Sequence, residues 1–216
     1  MRSAIAQGKH LTTLAFSEAE SRSHFWAPAS TARVAGDQVV LDARKSWVTS
    51  AFEADSYVWS SKPVAAEGAS TLWLVAADRP GLSQPGRFDG LGLRGNASTP
   101  ITAQDVAIHP NDRLGEDGKG FDTMMGIVLP WFSTLSAIAG GRADTMLRVL
   151  EVKAACAEAA LTVTDTAMRV CGGAAFRKEA GIERLFRDAR AASVMAPTSD
   201  VLYDFIGKAI TGLPLF

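Results

Sequence analysis

The sequence predicts an α+β chain: an antiparallel β-barrel or sandwich followed by a helical bundle segment. Three observations lead there. Short β-branched and aromatic runs recur up to about residue 108, the texture changes at Gly115-Glu116-Asp117-Gly118-Lys119-Gly120, and long stretches with helical apolar spacing follow. In the first half, Val39-Val40-Leu41, Ser56-Tyr57-Val58-Trp59-Ser60 and Thr71-Leu72-Trp73-Leu74-Val75-Ala76 read as strands bounded by Gly, Pro and Asp. The turn Ala35-Gly36-Asp37-Gln38 separates strands at the spacing expected of a sandwich or barrel. Residues 78–99, rich in Gly, Pro and Arg, read as a long excursion between strands.

Beyond residue 120 the spacing predicts helices over 121–139 and 144–170, broken by Gly140-Gly141. The second is alanine-rich and lines up Leu147, Leu150, Ala154, Ala157, Leu161 and Thr164 on one face, suited to close helix packing. Helices over 181–193 and 198–210 complete this half, the last with Pro197 and Thr198 as start signals. The expected domains are therefore 1–118 and 119–216. No internal repeat interrupts them.

Composition narrows the functional classes. At 216 residues, 47% apolar and 21% charged, the chain has the make-up of a globular protein. A net charge of −1 and a pI near 6.3 argue against a partner such as nucleic acid, which needs a basic face. Cys156 and Cys171 lack metal-ligand spacing and are expected to be small buried residues in a reducing compartment. His10, His24 and His109 are scattered, so no metal is expected. The opening residues lack the pattern of a signal peptide. The most apolar run, 126–141, is interrupted by Pro130, Ser133, Thr134 and Ser136, and falls short of the roughly 20 residues a membrane span requires. A cytoplasmic location follows as the expectation.

Four constellations have chemical interest. Leu14-Ala15-Phe16-Ser17-Glu18-Ala19-Glu20-Ser21-Arg22-Ser23 is a hydroxyl-rich loop leaving a strand, and Lys45-Ser46-Trp47-Val48-Thr49-Ser50 sets a tryptophan beside a threonine on a strand. A third segment runs from Leu93-Arg94-Gly95 through Pro110 and Leu114-Gly115 to Gly118-x-Gly120-Phe121, and is explained structurally as the crossing into the helical half. The fourth is Val170-Cys171-Gly172-Gly173-Ala174-Ala175-Phe176, then Arg187-Asp188-Ala189, then Met195-Ala196-Pro197-Thr198-Ser199-Asp200. A double glycine leaves backbone that a planar ring or pyrophosphate can approach, and it equally serves as the cap of a long helix. Arg187-Asp188 reads as a structural ion pair or cap.

In this order, the four segments resemble the acyl-CoA dehydrogenase family of flavoproteins. The resemblance implies FAD as cofactor. Phe16 and Ser17 would face the flavin, and Ser23 would touch the flavin or the pantetheine arm of an acyl-CoA. Trp47 would cover the ring face, with Val48 and Thr49 at its polar pyrimidine edge and N5. Gly172 and Gly173 would meet the adenine half, often across a subunit boundary, and Thr198 completes the binding set. Ala19, Arg22 and His24 depart from the family's proline, glycine and aspartate.

The implied reaction is α,β-dehydrogenation of an acyl-CoA thioester in fatty acid metabolism: a carboxylate takes the α-proton while hydride passes to the flavin. Where the family carries that glutamate, this chain has Ala196. Asp200 is the remaining acidic candidate, although an acid in a helix's first turn ordinarily serves the dipole. The alternatives are a flavin-dependent monooxygenase on the same fold, which needs no α-proton base and uses FAD or FMN, and a non-catalytic subunit of a heteromer. The implied redox partner is electron-transfer flavoprotein or a flavin reductase.

The resemblance also implies gaps. The family's N-terminal helical domain has no counterpart, and a helical hairpin is lacking between Arg142-Ala143-Asp144 and Leu147-Arg148-Val149-Leu150. That hairpin carries a segment clamping the FAD phosphates. Segments left out, a short paralogue relying on a partner, or a decayed gene would each account for this, and the single reading frame with intact motifs favours the first two. Missing helices would bare apolar faces, so a homo- or hetero-oligomer is expected.

Overall fold

The computed structural model describes all residues of the chain except 22, 23, 52, 85, 87, 88, 129–143 and 216. It divides into two compact units, one of residues 1–89 and 94–128, the other of 90–93 and 129–216. The expected helix over 121–139 runs beyond the described residues. Its described part is α-helical for one turn and continues as a π-helical turn, Met124–Val128.

After a short helix α1 (Arg2–Ala6), the described residues of the first unit form eight strands: β1 (Thr12–Ala15), β2 (Thr31–Ala35), β3 (Gln38–Val48), β4 (Ser56–Ser61), β5 (Thr71–Ala76), β6 (Leu82–Ser83), β7 (Thr99–Ile108) and β8 (Arg113–Leu114). They make two four-stranded sheets, ordered β1-β4-β5-β8 and β2-β3-β7-β6. The pairings between these strands are antiparallel except that of β1 with β4. Among the described residues the sheets do not close on each other, so the architecture is a sandwich rather than a barrel.

The strand alternation explains the core. Tyr57 and Trp59 on β4 and Trp73 and Val75 on β5 point inward, meeting Leu41 and Ala43 of β3 and Ile101, Val106 and Ile108 of β7. The Trp73 indole N–H donates to Ser61 Oγ at 2.8 Å, which satisfies a polar group that burial would otherwise penalise. On the opposite face of the first sheet, Leu72 packs with Phe16 and Met124 beneath α2 (Gly120–Thr123) and the π turn that follows it.

A carboxylate ties down the β4–β5 loop. Asp117 accepts the backbone N–H groups of Val64, Ala65 and Ala66 at 2.9–3.0 Å and the Thr71 hydroxyl at 2.5 Å. Burial works against its charge, but the Thr71 and backbone donors prevail and hold the carboxyl at about 2.

Strand β3 has a feature that bears on function. Between Lys45 and Val48 its register against β7 shifts, Lys45 facing Ile101 and Val48 facing Thr99. Three steps on β3 oppose two on β7, as in a β-bulge. Leu41, Ala43 and Lys45 keep inward phase up to the bulge, and Val48 resumes it beyond. Trp47 is thereby turned outward and is 49% exposed.

The second unit is helical: α3 (Thr145–Cys171), α4 (Ile182–Ala189), α5 (Ala191–Val194) and α6 (Ser199–Thr211). Leu150, Ala154 and Ala157 are the buried stripe of α3, and Leu202 and Phe205 that of α6. Leu147, Leu161 and Thr164 of the expected face are only half-buried. The expected helix over 181–193 divides at Arg190. Both cysteines are exposed, correcting the expectation of burial: Cys156 lies beside the packed stripe, and Cys171 ends the helix where no described residue covers it.

Residues 90–93 belong to this unit. The Leu93 N–H donates to Asp188 Oδ1 at 2.9 Å, and Arg187 donates to the Leu91 carbonyl at 2.7 Å. Arg187 takes Glu183 as its ion-pair partner, at 2.6 Å, so Arg187-Asp188 acts as two anchors for this segment rather than as a pair. A Cβ on Gly92 would stand 2.8 Å from both Arg187 O and Asp188 Oδ1, which explains glycine there.

Candidate functional site

In the first unit the structure brings together the hydroxyl-rich loop and the tryptophan strand, 30 residues apart in sequence. Glu18 bridges Lys45 in antiparallel fashion. The Ser46 N–H donates to Ser17 O at 2.9 Å and the Ala19 N–H to Arg44 O at 3.2 Å, which makes Glu18–Lys45 a non-hydrogen-bonded pair, the kind whose side chains approach most closely. Both point inward. By alternation Ser17 and Ser46 lie on the outer side, next to the outward Trp47. One edge further, the Thr13 hydroxyl donates to the Thr49 carbonyl at 2.7 Å, so β1 also holds the end of this segment.

Phe16, Ser17, Trp47, Val48 and Thr49 thus form one local assembly. Phe16 is buried against Leu72 and Met124 and Val48 in the core between the sheets, while Thr49 is exposed. Ser23 lies outside the described residues.

In the second unit, Gly172 caps α3 with φ 53°, and among the described residues no atom beyond the chain neighbours and the helix's own backbone lies within 4 Å of where a Cβ would stand on Gly172 or Gly173. That backbone is open, as approach by a flat or anionic group requires. Thr198 is the N-cap of α6 in extended conformation without a side-chain cap bond. The two are not brought together. The turn before Thr198 is held by Lys153, whose Nζ donates to the carbonyls of Met195 (2.9 Å) and Pro197 (2.5 Å). Lys153 precedes Gly172 on one continuous helix by a distance of about 28 Å at 1.5 Å per residue.

Ala196 sits between the two carbonyls that Lys153 holds and offers no titratable group. Asp200 is exposed in the first turn of α6. Burial lowers the Lys153 ammonium to about 8. Among the described residues no cluster of His, Cys, Asp and Glu suits a metal ion, and no helix is long and apolar enough to cross a membrane.

Sequence reasoning passed over Glu18, Lys45 and Lys153 as individuals. Lys45 shares the inward phase of Leu41 and Ala43, and Lys153 lies three residues after Leu150 and four before Ala157, on the packed stripe. A cation in apolar phase is the signal that would have found both.

Residues 13–106 match the middle domain of acyl-CoA dehydrogenases, and residues 132–211 match the C-terminal domain of acyl-CoA dehydrogenases. The chain belongs to the acyl-CoA dehydrogenase family. Among relatives, the mitochondrial short-chain specific acyl-CoA dehydrogenase of Bos taurus is 27% identical over 256 residues, covering 91% of this chain and 62% of that protein. The chain therefore spans less than two thirds of that relative's length. The alignment is also longer than this whole chain, so the acyl-CoA dehydrogenase carries residues within the matched span that this chain skips.

Solved structures agree in fold. An acyl-CoA dehydrogenase from Geobacillus kaustophilus superposes with a TM-score of 0.85 at 19% identity, covering 96% of this chain and 70% of that one. A structure described as an FAD-dependent dehydrogenase gives 0.84 at 21% identity, covering 98% and 72%.

Proposed function

We propose that this chain is the flavin-bearing part of an FAD-dependent oxidoreductase of the acyl-CoA dehydrogenase type, acting on an acyl-CoA thioester. The observation that carries the reading is the single surface made by Ser17, Trp47 and Thr49 at the bulged edge of the sandwich. A half-exposed indole beside two hydroxyl-bearing residues and strand backbone suits a flat ring with a polar rim, so the residues present fit the cofactor. Bound FAD supplies a hydride acceptor for the substrate β-carbon.

The chain's own residues then have distinct tasks. Ser17 and Thr49 orient the polar rim, Trp47 excludes water from one face, and Phe16 and Val48 keep the strand ends from shifting. Ser23 would reach the acyl-CoA arm. Gly172, Gly173 and Thr198 complete the FAD-binding set. The open backbone at Gly172-Gly173 supports the reading that they serve the adenine half of FAD, by the family resemblance on a second copy of the chain and hence in an oligomer. Electron-transfer flavoprotein is the proposed acceptor and the cytoplasm the proposed compartment.

Proton removal is the weak step, because Ala196 has no acid and Asp200 lies in solvent where the helix dipole favours it. Ala196 therefore favours a second reading, a monooxygenase on this fold that takes reduced FAD or FMN chemistry from a flavin reductase. Anaerobic addition of acyl-CoA to the flavin-loaded protein tests both. Bleaching of the visible bands supports the dehydrogenase. Bleaching only with a reductase system supports the monooxygenase, and a stable flavin complex inert to both supports a non-catalytic subunit. A protein that takes up no flavin refutes all flavin readings. The Ala196→Glu variant is expected to gain acyl-CoA oxidation; no gain in a flavin-loaded variant would show that more than the base is missing.

A further inference from the structure

The Glu18 carboxylate collects donors from two places in the chain, residues 29–30 and Lys45. It accepts the N–H groups of Ala29 at 2.6 Å and Ser30 at 2.8 Å, the Ser30 hydroxyl, and Lys45 Nζ at 2.5 Å. Lys45 directs its other donors to the Ser60 carbonyl (2.7 Å) and hydroxyl (3.0 Å), with the Trp59 ring centroid 4.9 Å away. Glu18 is 2% and Lys45 1% exposed, so neither touches a ligand on the outer face. Their arrangement is nevertheless specific. One carboxylate fastens the two ends of the 18–30 loop to each other, and through Lys45 it fastens them to β3 at the residue where the bulge begins.

We propose that Glu18, held by Lys45, is the positioning residue that locks the Ser17 loop and the bulged Trp47 edge into one surface, and that this lock sets the affinity and the visible spectrum of the flavin bound there. The proposal rests on the flavin reading given above. The buried pair makes the outer face rigid through alternation: with Glu18 and Lys45 fixed inward, Ser17 and Ser46 can face only outward. Without it, a one-residue slip of the loop against β3 would reverse every side chain at the surface.

The lock is also sensitive to pH. Glu18 is the charged group facing Lys45. Strand β4 contributes the Ser60 dipoles and the Trp59 ring, and Glu20 pairs with Arg44 on the outer side at 3.1 Å. Burial lowers the Lys45 ammonium to about 8, against the pull of Glu18. As pH rises through that value, Lys45 discharges and Glu18 loses its cation.

The experiment is a titration of the whole chain with FAD, followed by visible absorbance and fluorescence quenching, from roughly pH 6.5 to roughly 9.5. Glu18→Gln and Lys45→Met are measured alongside, with amide exchange at Ala29, Ser30 and Ser46 in the absence of flavin. The wild type is expected to show a change in affinity and band shape centred near pH 8, which Lys45→Met lacks. Both variants are expected to bind FAD about tenfold to a hundredfold more weakly, by analogy with the loss when a partner that orients a metal ligand is removed. Exchange at the three amides should rise in Glu18→Gln. A folded variant with wild-type affinity and spectrum overturns the positioning role while leaving the flavin reading intact. A wild type that binds FAD without a transition near pH 8 overturns it even if neither variant folds. A wild type that binds no FAD overturns both.

Discussion

Replacing Asp117 by Asn tests how the sandwich secures its loops. The side chain keeps its shape but loses its charge and one acceptor, against three backbone N–H groups and the Thr71 hydroxyl. Holding the carboxyl at about 2, against 3.8 when free, corresponds to about 2 kcal/mol of folded-state preference for the anion. Asp117 is half-buried, and screening by the solvent it still meets reduces the usable part to about 1 kcal/mol. The folded pKa is depressed, so this contribution is fully present above 3.8 and is lost as pH falls through about 2. Urea unfolding followed by tryptophan fluorescence reads the strand unit, which buries Trp59 and Trp73. Asp117→Asn is expected to be about 1 kcal/mol less stable than wild type at neutral pH. That gap should close between pH 3.8 and about 2. A gap that stays constant across this window would mean that the charge of Asp117 is not what the amides hold.

Two further substitutions probe the helical unit. Gly92→Ala forces a methyl to within 2.8 Å of Arg187 O and Asp188 Oδ1, and is expected to cost about 1–3 kcal/mol by thermal unfolding; a neutral effect would show that residues 90–93 are not anchored there. Lys153→Met strands the carbonyls of Met195 and Pro197 and should cost about 1–2 kcal/mol, with faster proteolytic cutting at 195–197 while helical circular dichroism is retained; unchanged cutting would refute its hold on the turn.

Much of the fold was legible because simple periods survive in it. Thr71–Ala76 came through with its expected ends, since its tryptophan and β-branched residues alternate against a single core. The helix Thr145–Cys171 was legible from its apolar spacing, with Gly172 as its natural stop. Strand β3 was read as two separate pieces, Val39–Leu41 and the strand of Lys45–Ser50, because Asp42 and Arg44 interrupt the apolar run. What continues the strand there is a buried ion pair and a bulge, neither of which hydrophobicity reports. The exposure of Cys156 was illegible for a similar reason: an alanine-rich helix gives little contrast between its faces. The motifs named two segments that the structure pairs, but the Glu18–Lys45 ion pair between them depended on contact across 27 residues of sequence.

The four residues 90–93 have a practical consequence for anyone dividing this protein. Because they sit in the middle of the strand half of the chain yet belong to the helical unit, no single cut yields that unit whole. Expressed from residue 129 onward, it would lack the amide and carbonyl that Asp188 and Arg187 bind. During synthesis the same segment emerges long before its anchors, so the helical unit is sealed only once α4 has left the ribosome.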